Sequence, residues 1–337
     1  LQSAFASNIS TDSLNGKYHV INILSAKEKD VEKVEDSLQT QHCFSFDVKS
    51  MNSAIANHLS DDFNYIGFAC GFIVFFFLWL SMGSIELAVL SFIPMAISWL
   101  WILGLMAIFH MQFNIVNIIL ATFIFGQGDD YTIFMTEGAM YEYAYRRKML
   151  ASYKHSIIIS ALIMFIGIGT LIVARHPALR SLAEVTIAGM FSVVLMAYIF
   201  PPLIFNWLVK HKGEYRVRPL SLQMLFRRRK EGVAYYHDLV LDRYRYKGVE
   251  VFSTVKRNLR RNRDYQAWME QQDTSLPVII PSAGYGEKVL LFALLHPETK
   301  VIAVEADPDK CRLMKFSMEG IVENVEIINQ AEISRQM

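Results

Sequence analysis

The sequence contains few cysteines and almost no net charge. Its 337 residues include three cysteines, at positions 43, 70 and 311, and carry a formal net charge of +1. Cysteines this scattered exclude a disulfide framework and a cysteine-based metal motif. The chain also lacks an initial methionine and a signal-peptide pattern, so we expect it to be a piece of a longer protein.

Apolar residues are abundant instead. They make up 53% of the sequence, and the mean hydropathy is +0.26. This is too apolar for an ordinary soluble domain and too charged for a helix bundle alone. Five apolar stretches approach the length of about 20 residues that a helix needs to cross a bilayer. They lie at about residues 63–80, 85–109, 115–138, 156–174 and 182–208.

Polar sequence flanks these stretches on both sides. Residues 1–62 mix strand and helix patterns, residues 210–246 are basic and aromatic, and residues 247–337 alternate strands with helices. The sequence therefore predicts a mainly α membrane protein with a five-helix bundle over residues 63–209. A short extracytoplasmic α+β segment precedes the bundle. A basic linker and a partial Rossmann-like α/β domain follow it.

Basic residues predict the orientation of the bundle. Arg146, Arg147 and Lys148 lie between the third and fourth stretches, and a longer basic run begins at Lys210 after the fifth. Positively charged loops remain in the cytoplasm, which places residues 1–62 outside and the C-terminus inside. An exported start followed by an odd number of spans needs an upstream helix, so we expect a further span before this chain.

The basic stretch 210–246 has two interpretations. It can be a surface patch for anionic lipid headgroups. The simpler interpretation, which we favour, is a linker whose charges only follow the orientation rule. We expect no nucleic acid partner, because the patch is attached to a membrane domain.

Two adjacent acids interrupt the third apolar stretch. Asp129 and Asp130 follow Gly126 and Gly128 and precede Tyr131. A carboxylate near the centre of a spanning helix costs roughly 3 kcal/mol on insertion scales, so such residues usually have a function. We interpret Asp130, with or without Asp129, as a protonatable site in an ion or proton path. The structural alternative is a fixed pairing with a Lys, Arg or Tyr of another helix.

The helical period gathers small, hydroxylic and acidic side chains on one side of this span. That side holds Thr122, Gly126, Asp129, Asp130, Ile133, Thr136 and Glu137. Glycines allow helices to approach each other closely in lipid. We therefore expect this side to face the interior of the bundle.

A glycine-rich turn follows the first predicted strand of the C-terminal region. The turn contains Ser282, Gly284 and Gly286, and Glu305 ends the next strand about twenty residues later. Such a turn lets the backbone approach a ligand at a helix N-terminus, and an acid at this spacing can bind a ribose hydroxyl. The alternative is a nucleotide-type fold that binds nothing.

Residues 1–209 resemble the C-terminal half of an exporter of the RND superfamily, in its MMPL branch. The tenth span of that family carries a Gly-x-x-x-Asp-Tyr motif, matched here by Gly126, Asp130 and Tyr131. The resemblance implies proton-driven export, with Asp130 as proton carrier, Tyr131 as its hydrogen-bond partner, and a counterpart in an N-terminal half. Asp129 stands where the family has an apolar residue, which leaves open which acid titrates or whether both share a proton.

Residues 247–337 resemble the start of a class I S-adenosylmethionine-dependent methyltransferase. Its glycine loop is matched by Ser282, Gly284 and Gly286, and its ribose-binding acid by Glu305. Ile280 and Ser282 depart from the acid and the glycine that are usual at those positions. The resemblance implies S-adenosylmethionine as a cofactor and assigns no catalytic residues.

These features lead to one main hypothesis and two alternatives. The main hypothesis is a fragment of an inner-membrane exporter of lipid or other hydrophobic molecules, driven by the proton gradient. Its expected partners are the lipid bilayer, the missing N-terminal half and a hydrophobic substrate, with a homo-oligomer as a further candidate. The alternatives are a membrane-anchored methyltransferase and a non-transporting membrane sensor or assembly factor. Whether the chain is also an enzyme stays open.

Overall fold

A computed structural model describes residues 9–12, 17–20, 23–24, 30–39, 48–110, 115–226, 231–260 and 263–330 of the chain. The chain divides into two compact units, Leu1–Tyr65 and Ile66–Met337. The predicted domain boundary at residue 62 lies near this division. It falls within a continuous helix, however, because α2 runs from Val48 to Met82.

The first unit combines strands with helices. Strand β1 (Ile9–Asp12) pairs antiparallel with β2 (Lys17–Val20), and helix α1 covers Val31–Gln39 before α2 begins. These elements agree with the predicted α+β character of this segment. The strand expected over residues 44–48 falls mostly outside the described residues, and Val48 itself begins α2.

A bundle of long helices forms the first part of the second unit. After α2 come α3 (Ile85–Ile108), α4 (Ile115–Tyr145), α5 (Leu150–Gly169) with a 3₁₀ turn (Thr170–Val173), and α6 (Pro177–Val209). Four stretches among the described residues are long and apolar enough to cross a membrane: Tyr65–Met82, Ile85–Ile108, Leu150–Val173 and Leu179–Val209. The third predicted span lies in α4, which is helical throughout, although the side chains of residues 115–123 are outside the described part.

Helix α6 is the central element of the bundle and packs against α3, α4 and α5. Its Met190, Val193 and Ala197 are buried with residues of all three neighbours. Helix α6 continues through Pro201 and Pro202 to Val209, although proline removes a helix hydrogen bond. The reason is packing: three residues beyond the prolines, Phe205, Leu208 and Val209, are buried in a second cluster at that end of the bundle.

The segment after α6 is more ordered than the predicted linker 210–246. A hairpin of β3 (Lys210–His211) and β4 (Glu214–Tyr215) leads to the short α7 (Leu222–Leu225) and to α8 (Val233–Tyr244). Val240 and Tyr244 of α8 are buried in the C-terminal core. The boundary predicted at residue 247 therefore moves back to the start of α8, since its apolar face packs on the following elements.

The C-terminal region contains a three-stranded parallel sheet. The helix predicted over residues 251–271 consists of two helices, α9 (Val249–Arg260) and α10 (Arg263–Glu270). Strands and helices then alternate as predicted: β5 (Val278–Pro281), α11 (Glu287–Leu295), β6 (Val301–Glu305), α12 (Pro308–Met318) and β7 (Val325–Asn329). The strand order is β5-β6-β7. Parallel neighbours require a crossover, which α11 and α12 provide.

Candidate functional site

The acid pair lies at the middle of helix α4. Asp129 and Asp130 are about 21 Å from the helix start at 1.5 Å per residue. Within the part of the chain that the structure describes, neither carboxylate forms an ion pair. The fixed pairing with a basic group that the structural interpretation requires is therefore not seen among these residues.

Asp129 faces partly into the bundle. Its side chain is half-buried, and its Oδ1 atom is buried without a hydrogen-bond partner among the described residues. At 100° per residue it lies about 20° from Thr136 around the helix axis, and Thr136 Oγ1 accepts a hydrogen bond from Ser91 Oγ of α3 at 3.0 Å. A buried carboxylate oxygen without a donor is costly in its charged form.

Asp130 lies on an exposed side of the same helix. Gly126, Phe134 and Glu137 are exposed on that side as well. The predicted small and acidic side is therefore divided between exposed and buried positions of the described bundle, and the side chain of Thr122 lies outside the described part. This side is broader than the face of α4 that packs on its neighbours. The buried residues near the acid pair include Gly128, Tyr131, Thr132, Met135 and Thr136, and their contacts reach α3, α5 and α6.

Tyr131 points toward α5. Its side chain is buried, and its hydroxyl oxygen lies 3.1 Å from Ser160 Oγ. The resemblance implies Tyr131 as the hydrogen-bond partner of Asp130. The structure places the phenol against a neighbouring helix of this chain, where it fixes the contact between α4 and α5.

The two predicted packing glycines differ. A Cβ atom added at Gly128 would lie 3.2 Å from Val193 Cγ1 of α6, so this glycine closes a helix contact. A Cβ atom added at Gly126 would meet nothing within 4 Å. Gly138, which was not singled out, is the tighter position, because its added Cβ would lie 2.9 Å from Tyr153 Cγ of α5.

A second candidate site lies in the C-terminal region, at the turn between β5 and α11. Ser282, Gly284 and Gly286 all have positive φ, at 53°, 63° and 84°. Space in front of Gly284 is open, with nothing within 4 Å of an added Cβ. This is the geometry that lets a backbone approach a ligand closely.

Glu305 lies directly across this turn, as its predicted pairing with the glycines requires. Its Oε2 accepts a hydrogen bond from the Gly284 N–H at 2.7 Å, and its Oε1 accepts from Ala306 and Asp307 at 3.0 and 3.1 Å. The structure thus brings Glu305 into direct contact with Gly284, one of the three predicted residues of the turn. The carboxylate is held in place by backbone donors before any ligand arrives.

Sequence reasoning missed Glu287, the first residue of α11. It is 3% exposed, its Oε1 accepts from Asn258 Nδ2 at 2.6 Å, and its Oε2 has no partner in the described part of the chain. Burial raises the pKa of this carboxyl. Its place after Gly286 was visible in the sequence, but its burial depends on α9, which is distant along the chain.

Comparison with known proteins bears on the membrane part. No curated protein and no solved structure gives a significant match. A family model, described as the MMPL family, matches residues 22–233. The four membrane-crossing candidates and the acid pair lie within this range, so the chain is a multi-pass membrane protein of RND/MMPL type. Because the match covers more than half of the 337 residues, this chain belongs to the MMPL family.

Proposed function

We propose that this chain is part of a proton-coupled exporter of lipid or other hydrophobic molecules in the inner membrane. The observation that carries the proposal is the acid pair at the middle of α4, without an ion-pair partner among the described residues. A carboxylate in such a place is costly while it is charged, and proton binding removes that cost. Membership of the MMPL family also supports the proposal of proton-coupled export.

The division of the acid pair supports a specific arrangement. Asp130 is exposed on this bundle, while Asp129 is half-buried within it. In the proposed complete transporter, the N-terminal half would cover the side of α4 that holds Asp130. Residues 1–62 would be periplasmic and the C-terminus cytoplasmic. Proton binding to the pair removes its charge, which lowers the cost of burying it and shifts the bundle between two packings.

The test is proton flux through the full-length transporter in liposomes, followed with an enclosed pH-sensitive dye. We expect Asp130→Asn to abolish flux while the protein remains inserted and folded, and Asp129→Asn to reduce it. The matched control is Glu137→Gln, which neutralises another exposed acid of the same helix. Normal flux in both Asn variants contradicts proton coupling at this site.

A second function is favoured by the turn between β5 and α11. We propose that the C-terminal region binds S-adenosylmethionine, as the start of a Rossmann-like methyltransferase domain. An ionised carboxylate oxygen has more than one acceptor position, so Glu305 Oε2 can accept a ribose hydroxyl in addition to the Gly284 N–H. The cofactor would supply a methyl group, and these residues would only hold it. In this case the spans tether the domain or present a substrate.

Calorimetric titration of S-adenosylmethionine into the full-length protein tests this second function. We expect saturable binding that Glu305→Gln weakens at least about tenfold, the loss of one charge-assisted hydrogen bond. Glu326→Gln, an exposed acid on β7, serves as the control. Absence of binding, or equal binding by the Glu305 and Glu326 variants, contradicts the proposal.

A further inference from the structure

Helix α4 extends beyond the bundle into the C-terminal core. Ala144, in its last turn, is fully buried in the same cluster as Val240 of α8 and Leu291 of α11. Tyr145 packs against this cluster. The helix that carries the acid pair therefore also contributes to the core of the α/β region.

Two arginines at the end of α4 bind the two ends of α12. Arg147 Nη2 lies 2.7 Å from Asp309 Oδ1 in the first turn of α12, and Arg146 Nη2 lies 3.5 Å from Glu319 Oε2 just after its last turn. The Arg146 guanidinium also lies 3.2 Å from the centre of the Tyr215 ring. Half-exposed ion pairs contribute little energy singly. Together they fix the position of α12 along the end of α4.

Buried donors from two basic side chains hold the C-terminal end of α12 in place. Arg243 of α8 donates to the carbonyl oxygens of Ser317 at 2.7 Å, Phe316 at 3.1 Å and Glu319 at 2.7 Å. Lys247 Nζ donates to Ser317 Oγ at 2.7 Å. Positive charge at a helix C-terminus is favourable because the last carbonyls there have no partner within the helix. This end of α12 has little freedom to move independently of α8 and α4.

The opposite side of α12 packs directly on the glycine turn. A Cβ atom added at Gly286 would overlap Met314 Cγ and would lie 3.2 Å from Met318 Cε. The N-cap residue of this helix is Asp307, whose backbone N–H donates to Glu305 Oε1. A shift of α12 must therefore displace the turn, Glu305, or both, since close-packed contacts of this kind do not deform continuously.

We infer that α12 couples the charge state of the acid pair on α4 to the shape of the turn at Ser282–Gly286. The inference rests on the proposed proton coupling. It adds that the C-terminal region regulates transport: a ligand that binds the turn changes the proton affinity of the acids. By linkage, neutralising the acids changes the affinity of the turn for that ligand by the same factor.

Amide hydrogen exchange in the full-length protein tests the coupling without a ligand. The quantity measured is the exchange rate of residues 282–287 in the wild type and in the Asp129→Asn/Asp130→Asn variant. We expect neutralisation to change this rate at least about fivefold, the lower range of known couplings between sites. The same comparison is then made in a protein that also carries Arg146→Gln and Arg147→Gln. There we expect the two Asp→Asn changes to alter the exchange rate less than about twofold.

Two further variants serve as controls. Lys300→Gln removes a 2.7 Å ion pair to Glu326 that involves neither α4 nor α12, and the exchange difference should persist. Asp309→Asn/Glu319→Gln removes the two α4–α12 ion pairs from the α12 side. It replaces the arginine variant if that variant fails to fold. An exchange rate that neutralisation does not change, or a change that survives removal of the ion pairs, overturns the coupling.

Failure of the coupling through α12 can be distinguished from failure of the proposed proton site. Lost proton flux in Asp130→Asn together with unchanged exchange at the turn refutes only the coupling. Normal flux in both Asn variants refutes the proton site itself. The effect of the acid pair on ligand affinity at the turn is measured with S-adenosylmethionine as the probe. Its dissociation constant should differ at least about fivefold between the wild type and the Asp129→Asn/Asp130→Asn variant. Equal constants in a protein that binds the probe overturn the coupling as well.

Discussion

Lys247 is a fully buried amine in a group of cations. It is 3% exposed, and its charged neighbours are Arg243, Arg146 and the carboxylate of Glu319. Burial, and then repulsion from these two guanidinium groups, lowers the pKa of Lys247 well below its ordinary value. In the unfolded chain the amine returns to the ordinary value near 10.4. Between the folded and the unfolded pKa, the unfolded state therefore binds more protons.

This difference predicts the pH dependence of stability. The free energy of unfolding should rise with pH through that window and fall as pH is lowered toward the folded pKa. The slope contributed by one such group is about 1.4 kcal/mol per pH unit. We expect melting temperatures measured over the pH range just below the ordinary lysine value to rise less steeply in Lys247→Met than in the wild type. Lys300→Met, at an exposed position, should keep the wild-type slope.

Single residues of the acid site could be predicted only in part. The adjacency of Asp129 and Asp130 and their place within a helix follow from the sequence. The direction in which each points does not, because it depends on which neighbour fills the space beside α4. Tyr131 faces Ser160 of α5, 29 positions along the chain, and no helical period encodes that partner.

The contact between helices α4 and α5 depends on one glycine. A Cβ atom at Gly138 would lie 2.9 Å from Tyr153 Cγ and 3.2 Å from Tyr153 Cβ. A change of the Tyr153 χ1 angle can move Cγ, but Cβ stays fixed to the backbone of α5, so a change of rotamer cannot remove all of this close contact. We expect Gly138→Ala to lower stability by about 1–3 kcal/mol, the usual cost of overpacking.

Gly126→Ala is the matched variant in the same helix. An added Cβ there meets nothing within 4 Å, and alanine favours helix by up to about 1 kcal/mol over glycine. Its melting temperature should equal or exceed that of the wild type. If both variants melt alike, close approach at Gly138 does not hold these helices together. A loss of proton flux in Gly126→Ala without a loss of stability would place the role of this glycine outside the described bundle.

Helices and strands were predictable where their patterns are local. The five apolar stretches correspond to helical segments, and the alternation after residue 277 gave the strands within one residue. The extent of α6 and the presence of α8 depend instead on packing between distant parts of the chain. Helix α6 continues past Pro201 and Pro202 because Phe205 is buried beyond them. Helix α8 was predicted as linker because its mixed charges hide the contacts of Val240 and Tyr244.

The second compact unit is continuous across its membrane and α/β parts. Besides Ala144, which α4 contributes to the C-terminal core, Tyr246 from the C-terminal side is buried in the cluster at the end of the bundle, with Met140 and Phe205. Its hydroxyl donates to the carbonyl oxygen of Leu220 at 2.8 Å. Each part thus completes a core of the other, and the two should unfold together.

Truncation tests this unity, because removing either side leaves a core incomplete. We expect a chain ending at residue 226 to melt at a lower temperature than the full chain, or to aggregate. The truncation exposes Ala144 by removing its neighbours in the C-terminal core, and it removes Tyr246 from the cluster at the end of the bundle. Tyr246→Ala should reproduce part of the loss, about 3 kcal/mol or more for a buried aromatic residue, whereas Tyr235→Ala at a position 43% exposed should not.

The matched control is a chain that begins at residue 48. It lacks most of the first compact unit and should keep the melting temperature of the second. Two separate melting transitions in the full second unit, or an unchanged transition in the chain ending at 226, would show that the membrane and α/β parts are independent, and the coupling through α12 would then lose its physical basis.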